Sequence, residues 1–143
     1  MKWPGPDGYW ASDDHDLIDT ERVHTWISRE SYWAEGRPRE VMIRAIENSL
    51  VIGLYEADGM QVGFARVVTD YATYAWICDV FIDSARRGHR LGTFLVETTV
   101  SHPDLRGLRQ ILMGEPGRTL YERSGFRPLA KPERWMERPG LTP

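Results

Sequence analysis

Two stretches of this chain hold residue types able to do chemistry. The first is Asp83-Ser84-Ala85-Arg86-Arg87-Gly88-His89-Arg90-Leu91-Gly92-Thr93. It stands between an apolar strand-like run and a helix-like run. The first N–H groups of a helix lack partners within the helix, and together with the helix dipole they favour a bound anion. Gly88 and Gly92 let backbone approach a ligand closely, and Arg86, Arg87 and Arg90 add positive charge, with His89 beside them. A pyrophosphate would satisfy these groups together. The competing reading is a solvated basic turn with a glycine at each bend. The segment lacks the Gly-Lys-Ser/Thr ending of a nucleotide P-loop. The second stretch is Trp76-Ile77-Cys78-Asp79-Val80-Phe81-Ile82, where one acid interrupts an apolar run. Burial would raise the Asp79 pKa above its free value of about 3.9 and make it a better base. Alternatively, Asp79 is a structural carboxylate, paired with an arginine such as Arg66 or capping a bulge.

The elements that must position these residues follow from periodicity. Asp19 caps a helix from Thr20, Ile18 and Val23 form a hydrophobic staple, and Val23, Trp26 and Ile27 mark one buried face. Residues 31–36 form an aromatic-bearing loop. Pro38 opens a second helix with Val41, Met42, Ala45 and Ile46 on its apolar side. Strands follow over 49–56, 61–69 and 74–82, with Asp58-Gly59 turning the first hairpin and the three forming an antiparallel meander. Leu91, Phe94, Leu95 and Thr98 have helical spacing, and Pro103 stops that helix. A short strand covers 108–113. Pro116 fits the first turn of a last helix, which ends at a left-handed Gly125. Strands over 126–129 and 135–137 close the order ααβββαβαββ, with a short first strand near Trp10. This is a mixed α/β sandwich, neither doubly wound nor a barrel.

With 143 residues, 41% of them apolar and 11% aromatic, the chain can bury one sizeable core. Residues 1–9, rich in proline and glycine, read as a flexible N-terminal extension, and residues 10–143 as a single domain. The net charge of −3 disfavours general nucleic-acid binding, and no apolar run has the length of a membrane helix. The lone cysteine, Cys78, fits a reducing cytoplasm and reads as a small buried hydrophobe. His24 and His102 have no partners at metal-ligand spacing, and no metal cluster is expected.

The strand, then Arg87-Gly88-His89-Arg90-Leu91-Gly92, then an amphipathic helix, then a strand, then Leu120-Tyr121-Glu122-Arg123-Ser124-Gly125-Phe126 together resemble the GNAT superfamily of N-acetyltransferases. The resemblance covers residues 10–137. The Ser31-Tyr32-Trp33 loop and residues 63–73 are similar to one bacterial branch of it. What this resemblance implies is a mixed, mostly antiparallel splayed sheet flanked by helices on both faces. Acyl-CoA, acetyl-CoA above all, would enter the V-shaped opening between strands 74–82 and 108–113. The backbone of Val80, Phe81 and Ile82 would bind the pantetheine arm. The amides of Arg87, Gly88, His89, Arg90, Leu91 and Gly92 would hold the pyrophosphate, with Thr93 reaching a phosphate.

The implied reaction is attack by a primary amine, on a small molecule or peptide, at a thioester. The Val80 or Phe81 N–H would polarise the carbonyl, and Tyr121 would match the family's general acid, or else pack on the cofactor's tail. Asp79, or water, would take the amine's proton. Tyr32, Trp33 and Arg66 would line the acceptor pocket, with Trp33 otherwise a cover for the core. A homodimer follows by analogy alone. The chain departs from the family pattern twice. Arg90 replaces a common glycine but keeps the backbone donor. Gly114-Glu115-Pro116-Gly117 replaces a segment that usually carries Asn or Asp, which weakens contacts from that loop. A catalytically silent CoA-binding sensor and a protein–protein adaptor are the competing function classes.

Overall fold

The structure, a computed structural model, describes residues 1–115 and 117–143. The sheet has six strands in sequential order: β1 Lys2–Pro4, β2 Trp10–Ser12, β3 Leu50–Tyr55, β4 Gln61–Thr69, β5 Tyr74–Ile82 and β6 Arg109–Ile111. Neighbours pair antiparallel except β5 and β6, which are parallel. A parallel pair needs a crossover. Here the connection carries helix α3, Leu91–Val100.

Helix α1, Thr20–Thr25, starts where its cap dictates: the Asp19 carboxylate accepts the Arg22 N–H at 3.0 Å. It runs directly into a π turn, Trp26–Glu30, before the aromatic loop. Helix α2, Arg39–Glu47, follows Pro38. Ile18, Val23, Trp26, Ile27, Met42 and Ile46 from this helical layer bury against Val51, Phe64 and Phe81 of the sheet. On the opposite face Leu91 and Leu95 of α3 pack on Ala11, Ile52, Leu54 and Ala65. Helices therefore cover both faces of a mixed, mostly antiparallel sheet.

The β3–β4 hairpin turns with one positive φ, at Gly59 (94°), while Glu56 accepts the Gly59 N–H at 2.9 Å. A left-handed glycine closes the turn, and Asp58 keeps an ordinary conformation.

Three expectations fail. The loose extension over 1–9 is instead a tied-down edge: β1 pairs with β2, the Met1 ammonium meets Asp13 at 2.5 Å, and Trp3 lies edge-on to His102. His102 is buried; its Nδ1 accepts the Asp104 N–H at 3.1 Å, which leaves Nε2 to donate to Asp13 at 2.9 Å. The closing strands at 126–129 and 135–137 do not form. Pro128 lacks a ladder donor within the first of them, and the segment holds only the 3₁₀ turn Pro132–Arg134. The strand foreseen over 108–113 shortens to Arg109–Ile111 because its pairing with β5 ends at Trp76↔Ile111. The last helix, α4, spans Arg118–Arg123 and ends before Gly125 at φ 93°. Pro116, expected to open it, lies outside the described residues.

Candidate active site

Past Trp76, strand β5 continues for six residues without a partner on its β6 side. The two strands splay, and a cleft of about 1310 Å³ opens between them. Within that unpaired stretch β5 also bulges. Its register with β4 passes from Arg66↔Cys78 to Phe64↔Phe81, so Asp79 and Val80 together oppose Ala65. The extra residue is Asp79, at φ 51°. Left-handed backbone is uncommon for a non-glycine residue, though Asp and Asn adopt it several-fold more often than most. The bulge puts Cys78 and Phe81 on one face despite their three-residue spacing and presents irregular backbone to the cleft.

The anion turn is built as its sequence suggests, with a different use of its arginines. Asp83 caps the turn Ser84–Arg86 and accepts from Arg22 at 2.9 Å. Gly88 (φ 93°) and Arg90 (φ 60°) then swing the chain into α3. Among the described residues, no N–H from Gly88 to Thr93 donates a hydrogen bond of normal geometry within the protein; the first that does is Phe94, to the Arg90 carbonyl at 3.1 Å. A run of free amides at a helix start beside the splayed edge fits a diphosphate leading into an extended thioester arm. Arg86 contributes no free charge, since it pairs with Glu56, and it does not line the cleft. Arg87 lies over the Phe81 ring and bonds the Ile82 carbonyl at 3.2 Å, and Arg90 lines the cleft.

The structure brings the remaining expected site residues together. Val80, Phe81, Ile82, Arg87, Gly88, Arg90, Leu91, Gly92 and Thr93 line the cleft, as do Tyr121, Asp79, Tyr32, Trp33 and Arg66; the His89 side chain does not. Tyr121 projects from α4, half-buried, with its ring edge-on to Phe126. Burial, with a smaller contribution from Tyr32, pushes its phenol above the ordinary value. The Tyr32 hydroxyl bonds the Glu115 carbonyl and so joins the aromatic loop to the loop before α4. Cys78 stays a thiol, pushed up to about 11 by burial.

Asp79 reverses the expected sign. Burial opposes its ionisation, but the Arg66 and Arg37 guanidiniums, with hydrogen bonds from Arg66 and the Trp33 indole, outweigh it and hold the carboxyl below the usual range. Both arginines meet Oδ2 at 2.8 Å, and Trp33 Nε1 meets Oδ1 at 3.0 Å. The arginine partner that the sequence suggests for Asp79, Arg66, is in place, with Arg37 beside it. Arg37 was not foreseen. It lies 42 residues from Asp79, and no local pattern signals an ion pair at that distance. Among the described residues no cluster of His, Cys, Asp or Glu has the makings of a metal site, and no helix is long and apolar enough to cross a membrane.

The family model described as an acetyltransferase (GNAT) domain matches residues 47–128. The Xanthomonas campestris pv. campestris protein xcc2953, described as belonging to the GNAT family, is 39% identical, with 95% of this chain and 96% of that one covered at a TM-score of 0.90. Glucosamine-6-phosphate N-acetyltransferase from Arabidopsis thaliana shares the fold at 16% identity and a TM-score of 0.63, over 93% and 98% of the two chains. So does Rv2747 from Mycobacterium tuberculosis, solved in complex with CoA and NLQ, at 15% identity and a TM-score of 0.63 over 80% and 69%. FG08082 of Gibberella zeae, named as a candidate acetyltransferase, is 25% identical over 107 residues, 62% of this chain; the chain spans 60% of that relative's length. The chain belongs to the GNAT acetyltransferase family, whose members transfer acyl groups from acetyl-CoA.

Proposed function

We propose that this protein is an N-acyltransferase that moves an acetyl or other short acyl group from coenzyme A to a primary amine by direct attack. The observation that carries the reading is the run of free amides from Gly88 to Thr93 beside the unpaired edge of β5. Bound acyl-CoA supplies the thioester and a thiol leaving group. The amides hold its diphosphate, and the β5 backbone at Val80–Ile82 orients the arm, so that amine and thioester meet as neighbours. A backbone N–H at the Val80 bulge polarises the acyl oxygen. As the N–C bond forms and the C–S bond breaks, Tyr121 gives its proton to sulfur. Its raised pKa keeps the phenol protonated at neutral pH. The amine's proton leaves through water, since Asp79 is held as an anion between two arginines. The single cysteine fits a cytoplasmic setting.

The test is a thermal shift with acetyl-CoA and free CoA, followed by thiol detection with a panel of amines. Acetyl-CoA at about 100 times its Kd raises stability by about 2.7 kcal/mol, and CoA release depends on a particular amine. Binding without amine-dependent release would favour the silent CoA binder; no binding would remove both readings.

A further inference from the structure

The two halves of the proposed reaction stand on different walls of the cleft. The thioester arm follows β5, whose bulge presents Val80, whereas Tyr121 stands on α4, beyond β6. A general acid works only within hydrogen-bond reach of the atom it protonates, so the separation of the walls decides whether the proton is delivered. Strand pairing does not set that separation. β5 and β6 are in register at Tyr74↔Arg109, Ala75↔Gln110 and Trp76↔Ile111 and then part. Leu112 and Phe126, which flank the segment carrying α4, pack on the core cluster of Leu50, Val67, Ala75, Ile77 and Leu105, and Leu120 rests beside Gly92 of α3. Between those anchors α4 has six residues, none of them buried, and starts at Gly117 (φ 98°), which supplies no side-chain cap.

One hydrogen bond crosses the gap. The Tyr32 hydroxyl donates to the Glu115 carbonyl, and among the described residues no other hydrogen bond ties residues 113–126 to the rest of the chain. Tyr32 is 65% exposed, so burial does little to fix it. Its neighbours do. Its ring stands edge-on to Trp33, with centroids 5.3 Å apart and planes at 88°. The Trp33 indole donates to Asp79 at 3.0 Å, and Asp79 is the extra residue of the bulge. At the base of the loop Ser31 Oγ donates to the Ile27 carbonyl at 2.5 Å and accepts the Ala34 N–H at 3.3 Å, both in buried positions. A chain of contacts therefore runs from the bulge through Asp79, Trp33 and Tyr32 to Glu115, six residues before Tyr121. Burial first, and the Tyr32 phenol second, raise the Tyr121 pKa, so the two phenols lie within each other's field.

We infer that Tyr32 is a positioning residue: it braces the two walls, and its hydroxyl holds the loop before α4 so that Tyr121 meets the sulfur of an arm laid along β5. This assignment rests on the acyl-transfer reading above, with Tyr121 as general acid. It separates Tyr32 from a residue that only lines the acceptor pocket. A brace acts through Tyr121 on turnover, whereas a lining residue acts on the binding of the amine.

Tyr32→Phe tests it, because the ring and its contact with Trp33 remain and only the hydroxyl goes. The first readout needs no substrate. In the CoA-free protein the Tyr121 and Phe126 N–H groups bond the Gly117 and Tyr121 carbonyls. Their hydrogen exchange should quicken by about 2- to 10-fold, as for the loss of one hydrogen bond, with exchange along β3 and β4 unchanged as the control for folding. The second readout is thiol release from acetyl-CoA with the amine that the panel selects. There kcat should fall by about 3- to 10-fold, while the amine's KM and the acetyl-CoA Kd hold. In a Tyr121→Phe background the same substitution should lower kcat no further, since a brace has no use without the acid it holds. Unchanged exchange across α4 overturns the inference and leaves acyl transfer standing. So does a loss confined to the amine's KM, or one that multiplies with the loss in Tyr121→Phe. If no amine is acylated, both readings fall, and quickened exchange alone would mark a structural tie without a catalytic use.

Discussion

Asp79→Asn is expected to destabilise the protein by about 3–5 kcal/mol, the usual result of removing one partner from a buried ion pair. Asparagine nearly matches the shape of aspartate and tolerates the left-handed backbone at φ 51°, so the substitution isolates the charge. It leaves Arg37 and Arg66 facing each other in a largely buried place without their common counter-ion. The pH dependence has a definite sign. The folded carboxyl titrates below its unfolded value of about 3.9. Its stabilisation is therefore fully present above about pH 4 and is lost as pH falls through the lower folded pKa. Urea melts should show wild type and variant far apart at pH 7 and converging in acid. Turnover should fall as well, because the bulge that presents Val80 loses its tether. A variant as stable as wild type, with turnover lost only through a changed pH profile, would restore Asp79 as the base.

Tyr121→Phe is expected to lower kcat about 100-fold or more, the range for a positioned general acid, with acetyl-CoA affinity nearly unchanged. Phenylalanine keeps the ring contact with Phe126 and removes only the hydroxyl. Because burial raises the phenol's pKa above its ordinary value, the proton-donating form persists at neutral pH, and any alkaline fall in wild-type kcat should come at higher pH than the titration of a free phenol. Full kcat in the Phe variant would assign Tyr121 a packing role.

The legible parts of this molecule are local ones. The Asp19 cap, the 61–69 and 74–82 strands and the turn into α3 rest on residues within a few positions of one another, and all formed where their chemistry requires. The motif around Gly88 and Gly92 is likewise local, so the free amides were foreseeable. What escaped depends on residues far apart in the chain. The edge strand β1 owes its place to Asp13 and His102. The Asp79 pKa is decided by Arg37, 42 residues earlier, so burial alone predicts the wrong direction. The position of Arg86 in the sequence suggests the anion site, but Glu56, 30 residues earlier, holds it. At the C-terminal end, apolar residues suggest strands, but Pro128 offers no ladder donor and residues Pro132–Arg134 turn as a 3₁₀ helix.

The claim beneath all of this is that CoA lies on the α3 turn and along the splayed edge of β5. Backbone amide NMR during a CoA titration tests it directly. The account predicts the largest, saturable shifts at Gly88–Thr93 and Val80–Ile82, with little change along β1 and β2. Shifts centred elsewhere, or none at saturating CoA, would contradict it.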